Sequence, residues 1–143
     1  MVKAFNELTT ITAETDGHLT LYISYSGEPV TQERPRARVI WKSHKIIMWD
    51  PCASFKNKLK GSIKKSLHDI GLTNLPLFST SKVQIELEFG VKTDNKDLDN
   101  LEKLIMDVLT KIVYSDDVKV VKKNSAKINA PGGGYTSVAI NLL

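Results

Sequence analysis

Asp97, Asp99, Asp107, Asp116 and Asp117 crowd into one stretch of the chain, with Asn100 and Lys103 among them. Two carboxylates flanking a single leucine, followed by an amide, repel one another unless a cation stands between them. Oxygen donors of this kind suit Mg²⁺ or Mn²⁺ rather than a soft metal. The plain structural reading is also open. A carboxylate at a helix start caps free backbone N–H groups and meets the positive end of the helix dipole, but one Asp would suffice for that. A second pair, Asp116-Asp117, follows just beyond the helix, where an antiparallel return could bring it near. The pattern does not fit a calcium loop of the EF-hand kind, whose glycine and late glutamate are missing at their spacings after Asp97.

The elements that must carry these residues can be read around them. Leu101, Leu104, Ile105, Val108, Leu109 and Ile112 recur at helical spacing and form one buried stripe. Asp99, Lys103 and Asp107 lie four apart on a different face, with Asn100 beside it. Upstream, Val83, Ile85, Leu87 and Phe89 alternate with Gln84, Glu86 and Glu88, which predicts a strand feeding the acidic motif. Downstream, Val118–Lys123 alternates Val with Lys as a short strand, and Thr136–Leu142 closes the chain as another. Ala130-Pro131-Gly132-Gly133-Gly134 between them is a turn. It is no phosphate loop, since no Lys-Ser/Thr pair and no helix follow it.

Before the motif, His18–Ser26 alternates with a period of two and reads as a strand. Met1–Gly17 is Thr-rich and polar, and is expected to be either a short extra strand or a loose extension to a domain spanning 18–143. Arg34-Pro35-Arg36-Ala37-Arg38 is held extended by its proline. It is either a solvated loop or a phosphate clamp, because guanidinium forks match phosphate oxygens. Val39–Trp41 and Ile46–Trp49 flank Lys42-Ser43-His44-Lys45 and read as a hairpin with a basic tip. Trp41 and Trp49 could stack on bases, although hairpin tryptophans more commonly pack in a core or along an edge.

Asp50-Pro51 is expected to open a helix, Asp as N-cap and Pro at the first helical position. Phe55, Leu59, Ile63, Leu67 and Ile70 form its stripe, and Gly71 ends it. Its outer face carries Lys56, Lys58, Lys60, Lys64 and Lys65. Like charges at those spacings destabilise a helix, so an anionic partner explains the face better than solubility does.

A chain of 143 residues with formal net charge +4 and 41% hydrophobic residues is long enough for one domain with a proper core. Its pI of about 9.1 favours an anionic partner. Cys52 stands alone, so no internal disulfide and no cysteine-based zinc site are expected. No apolar run approaches the ~20 residues that span a bilayer, and Met1–Gly17 lacks the pattern of a signal peptide. These features lead to the expectation of an intracellular, soluble protein. The element order predicts a two-layer α+β domain, one mixed β-sheet packed with two helices.

The segment Asp97-x-Asp99-Asn100, with Lys103, Asp107 and the Asp116-Asp117 pair, resembles the core pattern of the RusA family of Holliday-junction resolvases, which are endodeoxyribonucleases. Val113–Val120 is similar to the family's turn and strand beyond the helix, and Gly27–Val30 with Arg34-Pro35-Arg36 to its opening. The likeness runs from about Leu19 to the C-terminus. Lys119 stands where many members have Gln, and Met1–Gly17 has no counterpart. The resemblance implies a small homodimer that cuts four-way DNA junctions by Mg²⁺-dependent paired nicks, with Mn²⁺ able to substitute. It implies that Asp97, Asp99 and Asp117 bind the metal and that Lys103 is the catalytic lysine. Asn100, Asp107 and Asp116 are implied as supporting positions. Arg34, Arg36, Arg38, Lys56, Lys60, Lys64 and Lys96 are the residues expected at the DNA backbone. The rival readings are a nuclease for flaps or other branched DNA, and a junction-binding protein without catalysis.

Overall fold

Period-two alternation builds most of the molecule. The computed structural model describes residues 2–5 and 8–142. The strands are β1 (Val2–Phe5), β2 (Thr9–Asp16), β3 (His18–Ser26), β4 (Arg36–Ile40), β5 (Lys45–Trp49), β6 (Val83–Val91), β7 (Val120–Asn129) and β8 (Tyr135–Leu142). The helices are α1 (Ala53–Asp69) and α2 (Leu98–Leu109). Six strands form one mixed sheet in the order β1-β2-β3-β8-β6-β7, and β4 and β5 form a separate two-stranded sheet. Every neighbouring pair is antiparallel except β6 and β7, which are parallel. A parallel pair needs a crossover, and here α2 supplies it.

The sheet has a helix-covered face and an open one. Val83, Ile85, Leu87 and Phe89 of β6 are buried with Leu21 and Ile23 of β3 and Val138 and Ile140 of β8. Leu59, Ile63 and Leu67 of α1 and the whole predicted stripe of α2, from Leu101 to Ile112, join them in one core. Helix α1 packs on β1, β2 and α2, while α2 lies against β7. Glu86 points the other way and is exposed.

The polar N-terminal segment is structured. Thr9–Asp16 pairs with His18–Tyr25 along its whole length, and β1 adds the edge strand. Ile11 and Ala13 turn inward, and the Thr9 hydroxyl meets the Ser62 hydroxyl of α1 at 2.7 Å. The last strand before the motif is fixed by a close approach. A Cβ on Gly90 would fall 2.2 Å from the ring of Tyr135, its partner across the β6–β8 ladder. The ring therefore lies on the bare glycine backbone.

Several boundaries differ from expectation: β4 begins at Arg36 and ends at Ile40 where Val39–Trp41 was expected, and β7 begins at Val120 and not at Val118. Helix α1 begins at Ala53 with Cys52 in the cap position and no side-chain cap. Asp50 makes a tight turn instead, its Oδ1 accepting from the Cys52 N–H at 2.8 Å. Strand β7 runs six residues past the predicted Lys123, to Asn129, because its backbone keeps pairing with β6 after the alternation of Val and Lys fades.

Candidate active site

Helix α2 positions most of the acidic motif. Asp97 is its N-cap, with Oδ1 accepting from the Asp99 N–H at 3.0 Å. Asp99 follows in the exposed first turn. The buried stripe locks the rotation of the helix, and Glu102 adds a tie of its own. Its carboxylate is 90% buried by side chain and lies 2.7 Å from Lys123 Nζ on β7. A charge inside the apolar stripe, with lysines on the following strand, was the signal for this pair.

The face opposite that tie opens onto a cleft of about 260 Å³. Asn100, Lys103 and Asp107 line it from α2, Lys56 from α1, and Gln32, Glu33, Arg34, Pro35 and Asp50 from the connecting segments. The Gln32 N–H donates to the Asn100 carbonyl at 2.9 Å, which fastens the arginine-bearing segment to α2. Lys56 is the hub of this wall. Its ammonium lies 2.5 Å from Asp50 Oδ2, 2.9 Å from Gln32 Oε1 and 3.6 Å from Asp107 Oδ2. Hydrogen bonding from Lys56, then from the Cys52 N–H, holds the Asp50 carboxyl down at about 2. Lys56 therefore turns inward, whereas Lys58, Lys64 and Lys65 are exposed and Lys60 is half-buried.

The far end of α2 is closed by a tight turn. Tyr114 is fully buried and its hydroxyl donates to the Met106 carbonyl at 3.0 Å. Lys111 takes a left-handed backbone (φ 68°), and its N–H reaches the Tyr114 carbonyl at 2.6 Å. This turn carries Asp116 and Asp117 back to the neighbourhood of Asp107. Asp116 accepts from the Val118 N–H at 3.3 Å. Asp117 holds its proton more tightly than an ordinary carboxyl, first through its hydrogen bond with Asp116, then through burial and the negative charges of Asp116 and Asp107.

Lys96 belongs to a third cluster. Its ammonium donates to the Pro29 carbonyl at 2.7 Å and lies 3.3 Å from Glu28 Oε1. Glu28 also accepts from the Lys92 N–H at 3.0 Å, and Lys127 donates to the Lys96 carbonyl at 2.8 Å. A Cβ on Gly134 would stand 2.7 Å from Glu28 Cα, so the two loops meet where only glycine fits. Sequence reasoning missed Glu28 and Gln32; neither carries a spacing that marks it. Arg34, Arg36 and Arg38 are exposed, Arg36 resting 3.4 Å from Glu33.

The geometry thus brings Asn100, Lys103 and Asp107 together with Arg34, and sets Asp116 and Asp117 near Asp107. Asp97 and Asp99 stand at the other end of α2. Asp99 and Asp107 are eight residues apart, about 12 Å along the axis. Among the described residues, no three carboxylate, histidine or cysteine side chains come close enough to share one ion. The donor set still fits Mg²⁺ in chemistry. All its members are carboxylates, and Mg²⁺ is commonly held by one or two carboxylates with waters and substrate phosphates, not by a protein cage.

No helix among the described residues is long and apolar enough to cross a membrane. The family described as Endodeoxyribonuclease RusA matches residues 26–141. No curated protein matches the chain.

Proposed function

The chain belongs to the RusA endodeoxyribonuclease family, and from that premise we propose that it resolves four-way DNA junctions by Mg²⁺-dependent paired nicks, with the cleft beside α2 receiving the scissile phosphate. The observation that carries this reading is the convergence of Lys103, Asn100 and Asp107 with Arg34 on one cleft. Arg34 and Lys103 line it beside Lys56, which is engaged by Asp50, and the acidic motif flanks it at either end of the helix.

Phosphodiester hydrolysis needs an activated water, neutralised phosphoryl oxygens and a stabilised leaving oxygen. Bound Mg²⁺ supplies acidity to its water and charge to the phosphoryl oxygens. Asp97, Asp99 and Asp117 are the residues that would hold it, with Asp116 supporting Asp117. The exposed Lys103 ammonium, on the cleft wall, would donate to the negative charge that grows on the phosphoryl group and leaving oxygen. Arg34 presents a planar fork to an adjacent phosphate. Lys56 keeps Asp50 and Asp107 paired, so the cleft wall does not repel the backbone. Lys60, Lys64, Arg36 and Arg38 extend the cationic surface, and Lys96 contributes from its loop.

The separation along α2 also supports a homodimer. With Asp99 and Asp117 at opposite ends of the helix, a second copy related by a two-fold axis is the simplest way to set both on one phosphate. A four-way junction has the matching symmetry.

The test is cleavage of a synthetic mobile four-way junction, end-labelled on each strand, with Mg²⁺ or EDTA, beside linear duplex and flap controls. Symmetric nicks in opposing strands, only with metal and only on the junction, are expected. Binding without cutting moves the reading to a non-catalytic junction protein, and efficient flap cutting moves it to a general branched-DNA nuclease.

A further inference from the structure

The β4–β5 hairpin is exposed to a degree that the rest of the fold is not. All five residues of β5 are exposed, as are four of the five in β4. Trp41 at the tip is 79% exposed, Ile46 68% and Met48 65%. Core or edge packing was the commoner expectation for both tryptophans, with base stacking as the alternative; among the described residues the hairpin pairs with no other strand, so neither has a core to enter. A lone two-stranded ribbon is marginal in water, and a patch of this kind marks an interaction surface.

Its charge says which kind. From Arg34 to Trp49 every charged residue is a cation (Arg34, Arg36, Arg38, Lys42, Lys45), and no carboxylate interrupts them. The register sorts the side chains by face, since residues directly opposite share a side. Arg36 faces Trp49, Arg38 faces Ile47 and Ile40 faces Lys45 on one side; Ala37 faces Met48 and Val39 faces Ile46 on the other. Arginines interleaved with an aromatic, beside an apolar face and a tryptophan tip, match a polyanion that also offers flat apolar surfaces. Nucleic acid offers both, and DNA-bending proteins insert Ile and Met as wedges between base steps.

The hairpin is also rooted in the cleft. Arg34 and Pro35, just before β4, and Asp50, just after β5, line the cavity that holds Lys103. Five-residue strands rise ~3.3 Å per residue, so the tip stands about 17 Å from that wall.

We propose that this hairpin reads the branch point: its arginine face tracks the phosphates leaving the cleft, and Trp41 stacks on a base-pair face laid bare at the crossover. Continuous duplex hides those faces in its stack. The inference rests on the junction-resolvase reading and adds to it the element that tells a junction from a duplex.

The test uses the full-length protein in EDTA, titrated onto a four-way junction and onto linear duplex of the same arm sequence at one salt concentration. Trp41→Ala is expected to weaken junction binding about 5- to 150-fold, the range for one lost base–aromatic stack, and to leave duplex binding unchanged. Arg36→Gln with Arg38→Gln is expected to weaken both DNAs and to reduce the log–log salt slope by about 1.8. In a Trp49→Phe background, Trp41 emission is expected to be quenched by the junction and not by the duplex. A Trp41→Ala protein that keeps the wild-type preference for the junction overturns the inference alone. So does a variant that loses its preference only by falling from dimer to monomer in sedimentation, since the hairpin then covers a second copy of the chain. Wild-type protein with no preference for the junction overturns the functional reading and this inference with it.

Discussion

Replacing Lys56 by Met tests the internal tie that the structure gives this residue against the DNA-backbone contact expected from its place in the sequence. Met keeps the length of the stem and removes the ammonium. In the structure the Lys56 side chain is 13% exposed and bridges Asp50 at 2.5 Å and Asp107 at 3.6 Å, with Gln32 Oε1 at 2.9 Å. The Asp50 carboxyl is lowered from 3.8 to about 2, mainly by Lys56. At 1.36 kcal/mol per tenfold change in proton affinity this is at most about 2.4 kcal/mol, and solvent access to Asp50 reduces it to roughly 1 kcal/mol. The sign follows from linkage. A carboxyl whose folded value lies below its unfolded one stabilises the protein above pH ~4, and that contribution disappears as the pH falls through about 2. Urea unfolding of both proteins from pH 7 to pH 2 is the assay. The Lys56→Met protein should be about 1 kcal/mol less stable at neutral pH, and the gap should close between pH 4 and pH 2. A gap of the same size at pH 2 refutes the tie. DNA binding gives the independent readout: the salt slope should be unchanged in Lys56→Met and smaller by about 0.9 in Lys64→Gln. A loss of 0.9 from Lys56→Met would return that residue to the phosphate contacts.

Asp99→Asn should bind a junction with wild-type affinity and cut it about 100-fold more slowly or worse. Mixed with Asp117→Asn and allowed to exchange subunits, it should regain roughly a quarter of the wild-type sites if a site is shared between copies; each protein alone, and the mixture, should stay inactive if each chain holds a complete site. Gly90→Ala should destabilise the fold by about 2 kcal/mol or more in thermal unfolding, because its Cβ would lie 2.2 Å from the Tyr135 ring. The same change in a Tyr135→Ala background should then have an effect under about 1 kcal/mol. Glu102→Ala should lower stability by about 1–2 kcal/mol through the orphaned Lys123 and the space left beside β7.

The parts that sequence reasoning placed well are those where burial writes a period into the chain. The α2 stripe from Leu101 to Ile112 and the alternation of β6 from Val83 to Phe89 are both fully buried as read. Elements at the margin carry no such mark. Strand β7 is an edge strand with most of its side chains exposed, so its second half needs only backbone pairing, and its two apolar residues there, Ala126 and Ile128, alternate on the exposed face. In β2 the inward positions are Thr9, Ile11 and Ala13, two of them small or polar, and such a pattern is easily taken for a polar extension. Asp50-Pro51 has the composition of a helix start, but Asp50 is already engaged by Lys56 and the Cys52 N–H, and the helix begins beyond it. Lys56 belongs by spacing to the basic outer face, and only Asp50 and Asp107 on other elements reveal why it turns in.

Spacing identifies which residues share a face of α2, and it says nothing about how far apart they stand along the axis. That distinction decides how the acidic motif works. Asp97-x-Asp99 opens the helix that carries Asp107, yet about 12 Å along the axis separates Asp99 from Asp107, and Asp117 feels the charge of Asp107 after that of Asp116. Three carboxylates packed together in one chain would raise one another's proton affinity and strain the fold until a cation arrived. Placing Asp97 and Asp99 at one end of the helix and Asp107, Asp116 and Asp117 toward the other divides that repulsion, and what remains shows in the raised proton affinity of Asp117. Asp116 and Asp117 share a hydrogen bond that lowers the proton affinity of Asp116 and raises that of Asp117. On the proposed resolvase reading, the carboxylates proposed to hold Mg²⁺ stand apart in one chain and must be brought together from facing elements when DNA is bound. If that assembly and the proposed hairpin contact both hold, cleavage should be confined to branched DNA for two separable reasons, and the subunit-exchange and Trp41→Ala experiments test them independently.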